Sequence, residues 1–124
     1  MEKELELERA PVGVIGLETA FAVAYTTLVH TDRMKLVDLI KRMSLAPANR
    51  FGLVGGSIAE GATANLALLD LKERWRVSEA QLHSRSHNSP FLGHTLRGRA
   101  VATIYRGRLV YRAQPVDEPL SSIV

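Results

Sequence analysis

The sequence predicts an α/β chain with a helical first half and a strand-rich second half. Three observations carry this reading. Apolar residues recur every three or four positions from Ala20 to Met43, the spacing that lines one face of a helix. After Gly55-Gly56 that rhythm gives way to Ala64-Asn65-Leu66-Ala67-Leu68-Leu69-Asp70-Leu71, a short apolar block that reads as a strand buried on both faces. Towards the end, residues 100–105 and 109–111 flank Arg106-Gly107-Arg108, a hairpin signal in which Gly107 can take positive φ.

Taken in order, residues 1–9 alternate glutamate with leucine; like charges at that spacing disfavour a strand and predict an arm. A first helix is expected from Glu18 to about His30, with Ala20, Phe21, Ala24 and Leu28 on one face. Ala22 and Val23 widen that face, so this helix should be buried on most sides. Glu18 suits the first turn, where the helix dipole is positive. Thr31 or Asp32 is the expected cap of a second helix, Arg33 to Met43. There Met34, Val37, Ile40 and Met43 form the inner stripe, with Lys35, Asp38, Lys41 and Arg42 outside. Ser44 opens a short piece ending at Gly52, in which Pro47 fits only a first helical turn or a loop. Glu60-Gly61 marks a turn, Trp75 and Val77 suggest a short neighbouring strand, and Ser84 to Pro90 reads as a polar loop. The tail from Gln114 holds two prolines and is expected to be loose.

At 124 residues the chain is one small domain or a piece of a larger one. Its 46% hydrophobic and 23% charged residues are ordinary globular proportions. It has no cysteine, which excludes disulfides and thiolate metal sites and suits a reducing cytoplasm. The acidic start is unlike a signal peptide. Glu18 interrupts the run from Val12 to Val29, which argues against a membrane span. Nine of the lysines and arginines fall between Lys72 and Arg112, against Glu73 and Glu79. Such a half could attract phosphate, but only Trp75, Tyr105 and Tyr111 are interspersed and no nucleic-acid motif is present, so nucleic-acid binding is not expected.

The stretch with the most chemical content is Ala10-Pro11-Val12-Gly13-Val14-Ile15-Gly16-Leu17-Glu18-Thr19. Two glycines and a proline suit a tight loop that brings backbone close to something, and a loop feeding a helix start turns N–H groups outward. The plainer reading is a helix start alone. Four histidines are present, His30, His83, His87 and His94. His83 and His87 have a helical metal-ligand spacing, but Ser84, Ser86, Asn88 and Pro90 argue against a helix there. Ser57, in Gly55-Gly56-Ser57, lacks the full Gly-x-Ser-x-Gly pattern of a nucleophile elbow, and Gly52-x-x-Gly55-Gly56 lacks the phosphate-loop pattern. No complete active site is visible.

Ala-Pro-x-Gly-x-x-Gly-Leu-Glu-Thr resembles the segment after the last barrel strand of dihydroorotases, in the metal-dependent amidohydrolase superfamily. The resemblance continues through Asn49-Arg50-Phe51-Gly52-Leu53 and Gly56-Ser57-Ile58-Ala59-Glu60-Gly61-Ala62-Thr63-Ala64-Asn65-Leu66. It extends over Ser84-Arg85-Ser86-His87-Asn88-Ser89-Pro90-Phe91-Leu92-Gly93 and the run from Leu96 to Tyr111. The later motifs are shared with hydantoinases. The resemblance implies the last helices of a (β/α)8 barrel followed by antiparallel strands of a small composite β-sandwich. Its expected boundaries are 1–53 for the barrel part, 54–113 for the sandwich part and 114–124 for a loose tail.

The family's metal ligands have no counterpart in these residues: the His-x-His, the bridging carboxylate, the two later histidines and the last Asp. The chain is expected to begin just after that Asp. The resemblance implies zinc in the parent enzyme and none held by this chain alone, and no catalytic residue within it. It assigns Val12 and Gly13 a backbone contact to dihydroorotate. Val12 stands where the family usually has an aromatic, and Asn65 where it usually has Asp. The implied parent interconverts N-carbamoyl-L-aspartate and L-dihydroorotate in pyrimidine synthesis, with this chain inactive without the missing N-terminal barrel portion. The alternative is a non-catalytic module docking on a transcarbamoylase or another barrel; the partners the resemblance implies are a homo-oligomer or a transcarbamoylase.

Overall fold

A computed structural model of the chain describes residues 13–113. The expected arm and tail lie outside the described residues. Helix α1 (Ala20–Ala24) passes without interruption into a wide π-helical turn, Tyr25–Val29, closed by the His30 amide donating to the Tyr25 carbonyl at 2.9 Å. The run ends at Asp32, which adopts left-handed geometry at φ 56°, a conformation that aspartate tolerates better than most residues. The amides of Arg33 and Met34 both fold back onto the Leu28 carbonyl. Asp32 therefore ends the first helix and does not cap the second. Lys35 occupies the cap position, with no side-chain capping bond, and the Thr31 hydroxyl donates backwards to the Thr27 carbonyl at 2.6 Å.

The second helical run is longer than its periodicity suggested. Helix α2 (Leu36–Ile40) continues through a π-helical turn, Lys41–Leu45, into α3 (Ala46–Phe51). Pro47 lies in the first turn of α3, just after the widened turn, where its missing N–H does the ladder least harm. Gly52 ends the run at φ 63°, and the Leu53 amide reaches the Ala48 carbonyl at 2.9 Å, a left-handed C-terminal stop.

Strand β1 (Leu66–Arg76), β2 (Thr95–Tyr105) and β3 (Arg108–Arg112) form one antiparallel sheet in the order β1-β2-β3. The hairpin is as predicted: Arg106 and Gly107 turn between β2 and β3 with φ of 49° and 77°. The Asn65 Oδ1 accepts the Arg106 amide at 2.8 Å, and the Gly107 amide donates to the Ala64 carbonyl.

Trp75 does not belong to a separate strand. It lies in β1, which bulges between Asp70 and Arg74, the partners of Arg99 and Arg97. Asp70 Oδ1 accepts the amides of Lys72 and Glu73 at 2.8 and 3.1 Å, so the extra residues keep their hydrogen bonds while off the ladder. That interruption is what makes one strand look like two.

The core is small: Ala22, Trp75, Val77, Leu82 and Leu96, with Ile15, Val23 and Phe91 against it. It joins one face of α1 to one face of the sheet. Thr26 completes the joint by accepting the Arg97 amide at 2.8 Å and donating to its carbonyl at 3.3 Å, as a neighbouring strand would. Burial corrects three expectations. Ala20 is exposed and Phe21, Val23 and Ala24 are only half-buried, which leaves Ala22 as the one buried residue of α1. The strand 64–71 is not buried on both faces, since Leu68 is 47% exposed. In the second helical run Leu39 and Ala48 are buried, whereas Val37, Ile40 and Met43 are exposed. That run thus carries two apolar stripes, and the described residues cover only one.

Candidate functional site

Gly13 opens the described chain at φ 74°, a region where a side chain is strained. The turn that follows is closed at Thr19, whose side chain is buried, with its amide 3.2 Å and its hydroxyl 3.3 Å from the Gly16 carbonyl. Val12, its predicted partner in contacting substrate, lies outside the described residues.

Across from this turn runs the polar loop after β1. A short 3-10 turn, Glu79–Gln81, leads into Leu82, whose burial in the core anchors the loop. The two segments are stitched together at four points. Asn88 Nδ2–H donates to the Gly13 carbonyl at 2.7 Å. The Ile15 amide donates to the Asn88 carbonyl at 3.0 Å. Glu18 accepts the amides of His83 and Ser84 at 2.8 and 3.0 Å, one on each carboxylate oxygen.

Glu18 is thus more than a favourable charge near a helix start. Its partial burial works to raise its pKa, but the His83 and Ser84 hydrogen bonds and the nearby His83 ring outweigh it, leaving the carboxyl below the ordinary glutamate range. Sequence reasoning missed this role because the partners are 65 and 66 residues away. The one available signal was an acid beside a glycine turn and a distant loop rich in unpaired polar groups.

The histidines do not converge. His83 meets the edge of Tyr111 at 5.8 Å and His94 that of Phe91 at 6.2 Å. His87 Nδ1 lies 3.3 Å from Glu79 Oε2, both side chains well exposed, a contact worth little in water. Among the described residues no three His, Asp or Glu side chains are grouped to hold a metal ion. His83 and His87 lie in the loop between β1 and β2 and not on a helix, so their spacing does not bring them onto one helical face.

The basic half is partly internal. Arg99 pairs with Glu73 at 3.2 Å, both sides largely buried, and lies over the Trp75 ring at 5.1 Å. Arg76 Nε–H donates to the Gly93 carbonyl. No helix among the described residues is long and apolar enough to cross a membrane.

In fold, the described residues are similar to part of solved hydantoinases, members of the amidohydrolase family. The L-hydantoinase (dihydropyrimidinase) of Arthrobacter aurescens matches 86% of this chain with 24% of its own, at a TM-score of 0.79 and 33% identity. The dihydropyrimidinase of Brevibacillus agri matches 90% of this chain with 25% of its own, at a TM-score of 0.81 and 25% identity. No family model matches the chain.

Sequence relatives narrow the class. The dihydroorotase of Clostridium acetobutylicum is 41% identical over 110 residues, 89% of this chain and 26% of that protein. The dihydroorotase of Listeria innocua is 42% identical over a similar span. The chain corresponds to the C-terminal part of the dihydroorotases it is similar to. It spans about a quarter of the length of the curated relatives it matches.

Proposed function

We propose that this chain is the substrate-loop and supporting-sheet portion of a zinc-dependent dihydroorotase, acting in the cytoplasm in pyrimidine synthesis. In this reading residues up to about 53 belong to the end of a (β/α)8 barrel and residues 54–113 to a small sandwich. The whole enzyme interconverts N-carbamoyl-L-aspartate and L-dihydroorotate. Val12 and Gly13 present backbone groups to the cyclic amide, while the groups that hold metal and move the proton come from the N-terminal portion. The observation that carries the reading is the match itself: about 40% identity along nine-tenths of this chain, against a quarter of each relative.

The chain's own contribution is positional. Hydrolysis of a cyclic amide needs an activated water, a polarised carbonyl and a base. It also needs the ring held so that the water meets the carbonyl carbon, and holding reactants in register is a large part of catalysis. A glycine turn clasped by a second loop suits that task, because backbone groups fixed in place lose little freedom when they bind.

The docking-module reading has one observation in its favour. Val37, Ile40 and Met43, with Phe51, Leu53, Val54 and Ile58 beyond them, leave apolar surface uncovered, and such surface calls for a partner. In the leading reading the rest of the same enzyme covers it.

One experiment separates the two. Residues 1–124 are assayed for dihydroorotate hydrolysis and bound zinc, alone and co-expressed with the N-terminal three quarters of the Clostridium acetobutylicum dihydroorotase. Turnover with the pair, and neither turnover nor stoichiometric zinc with the chain alone, supports the proposal. Turnover with stoichiometric zinc from the chain alone overturns it, and a stable but inactive pair favours the module.

A further inference from the structure

The four contacts between the polar loop and the glycine turn do different work. The two at Glu18 fix the end next to α1. The two at Asn88 act on the stretch Gly13-Val14-Ile15, which one residue spans from both sides. Its carboxamide donates to the Gly13 carbonyl at 2.7 Å and its own carbonyl accepts the Ile15 amide at 3.0 Å. Gly13 has no side chain to lock into a core, so its conformation is held through backbone groups. A donor on its carbonyl sets the plane of the peptide it shares with Val14.

Asn88 is itself well oriented. Its amide donates to Ser86 Oγ at 3.2 Å. Its neighbour Ser89 is buried, and Ser89 Oγ accepts the Phe91 amide at 3.3 Å. Leu82 and Phe91, at either end of the loop, pack in or against the core. The carboxamide therefore projects from a loop fixed at both ends.

We propose that Asn88 is a positioning residue for the substrate loop: its carboxamide clamps the Gly13 carbonyl and thereby sets the direction in which the loop's backbone groups meet a bound cyclic amide. This rests on the reading that the Val12-Gly13 backbone contacts substrate. Asn88 acts through Gly13 and touches no reacting atom.

The test uses Asn88→Asp, nearly the same shape but without the side-chain N–H, and with the main-chain carbonyl unchanged. Amide hydrogen exchange on the 124-residue chain reads the clasp directly. Exchange at Ile15, whose amide the loop holds, is expected to quicken by up to about tenfold, the loss of one hydrogen bond, with the amides of Trp75 and Leu96 unaffected. Kinetics on the co-expressed pair read the consequence. KM for dihydroorotate rises by up to about tenfold while kcat stays within about twofold.

A merely structural role would speed exchange across β1 and β2 and lower the active fraction without moving KM, which overturns the proposal. So does an unchanged exchange rate at Ile15, or an unchanged KM in an active pair. An inactive wild-type pair would instead overturn the substrate reading, with the exchange result still deciding whether Asn88 holds the loop.

Discussion

Gly98 offers the sharpest test of how the helix meets the sheet. It lies on β2 opposite the β1 bulge, at φ 81°. A Cβ placed there would sit 3.0 Å from Phe21 Cε1 and 3.1 Å from Tyr25 Cδ1. Those rings stack on each other with centroids 5.6 Å apart, so neither can move without disturbing its partner. Gly98→Ala therefore carries two costs, about 1–2 kcal/mol for the left-handed backbone and about 1–3 kcal/mol for overpacking.

Gly107→Ala is the control, because Gly107 has nearly the same φ, 77°, and nothing within 4 Å of the added methyl. It should show the first cost alone. Urea unfolding followed by Trp75 fluorescence measures both. Trp75 is the only tryptophan in the chain, is buried, and donates its indole N–H to the Gly98 carbonyl at 3.2 Å. With m of about 1–2 kcal/mol per molar for a chain this size, the overpacking cost should separate the two midpoints by about 0.5–3 M. Equal midpoints would refute the claim that α1 and β2 are in contact at this glycine.

Glu18→Gln should lower the melting temperature most near neutral pH. A carboxyl whose folded pKa is depressed contributes stability above its unfolded pKa, about 4.3, and that contribution is lost as pH falls through the folded value. Melting curves from pH 3 to 7 should therefore converge at the acid end, and a gap independent of pH would contradict the role given to the charge. Val77→Ala, at the most buried core side chain, should cost about 2 kcal/mol in urea unfolding through lost burial and the cavity left behind. Asp70→Ala should cost about 1 kcal/mol by stranding the two bulge amides, while Asp70→Asn, which keeps an acceptor, should recover part of it. Equal losses in the two Asp70 variants would show that the amides need no acceptor there.

What was legible in the sequence was what neighbouring residues settle among themselves. The helical first half, the change of rhythm after Gly56 and the Arg106-Gly107 hairpin all follow from local spacing and turn chemistry. The glycine turn stood out for the same reason. The errors share one source. Met34, Val37, Ile40 and Met43 make a convincing stripe by period, yet Leu39 is the side chain that meets a neighbour. Trp75 looked detached from β1 because the Asp70 bulge breaks the alternation without breaking the strand. Asp32 looked like a cap, and serves as a stop.

By itself, then, the sequence determined the helical first half, the strand-rich second half and the hairpin turn, since backbone preference and side-chain period act within a few residues. Its motifs also carried the resemblance to the C-terminal part of dihydroorotases. Only the tertiary structure decided which faces are covered, that Glu18 reaches the amides of His83 and Ser84, and that Asn88 grips Gly13 from 75 residues away. Such bonds leave no periodic trace, because each needs only one suitable group on either side once the core has brought two distant loops together.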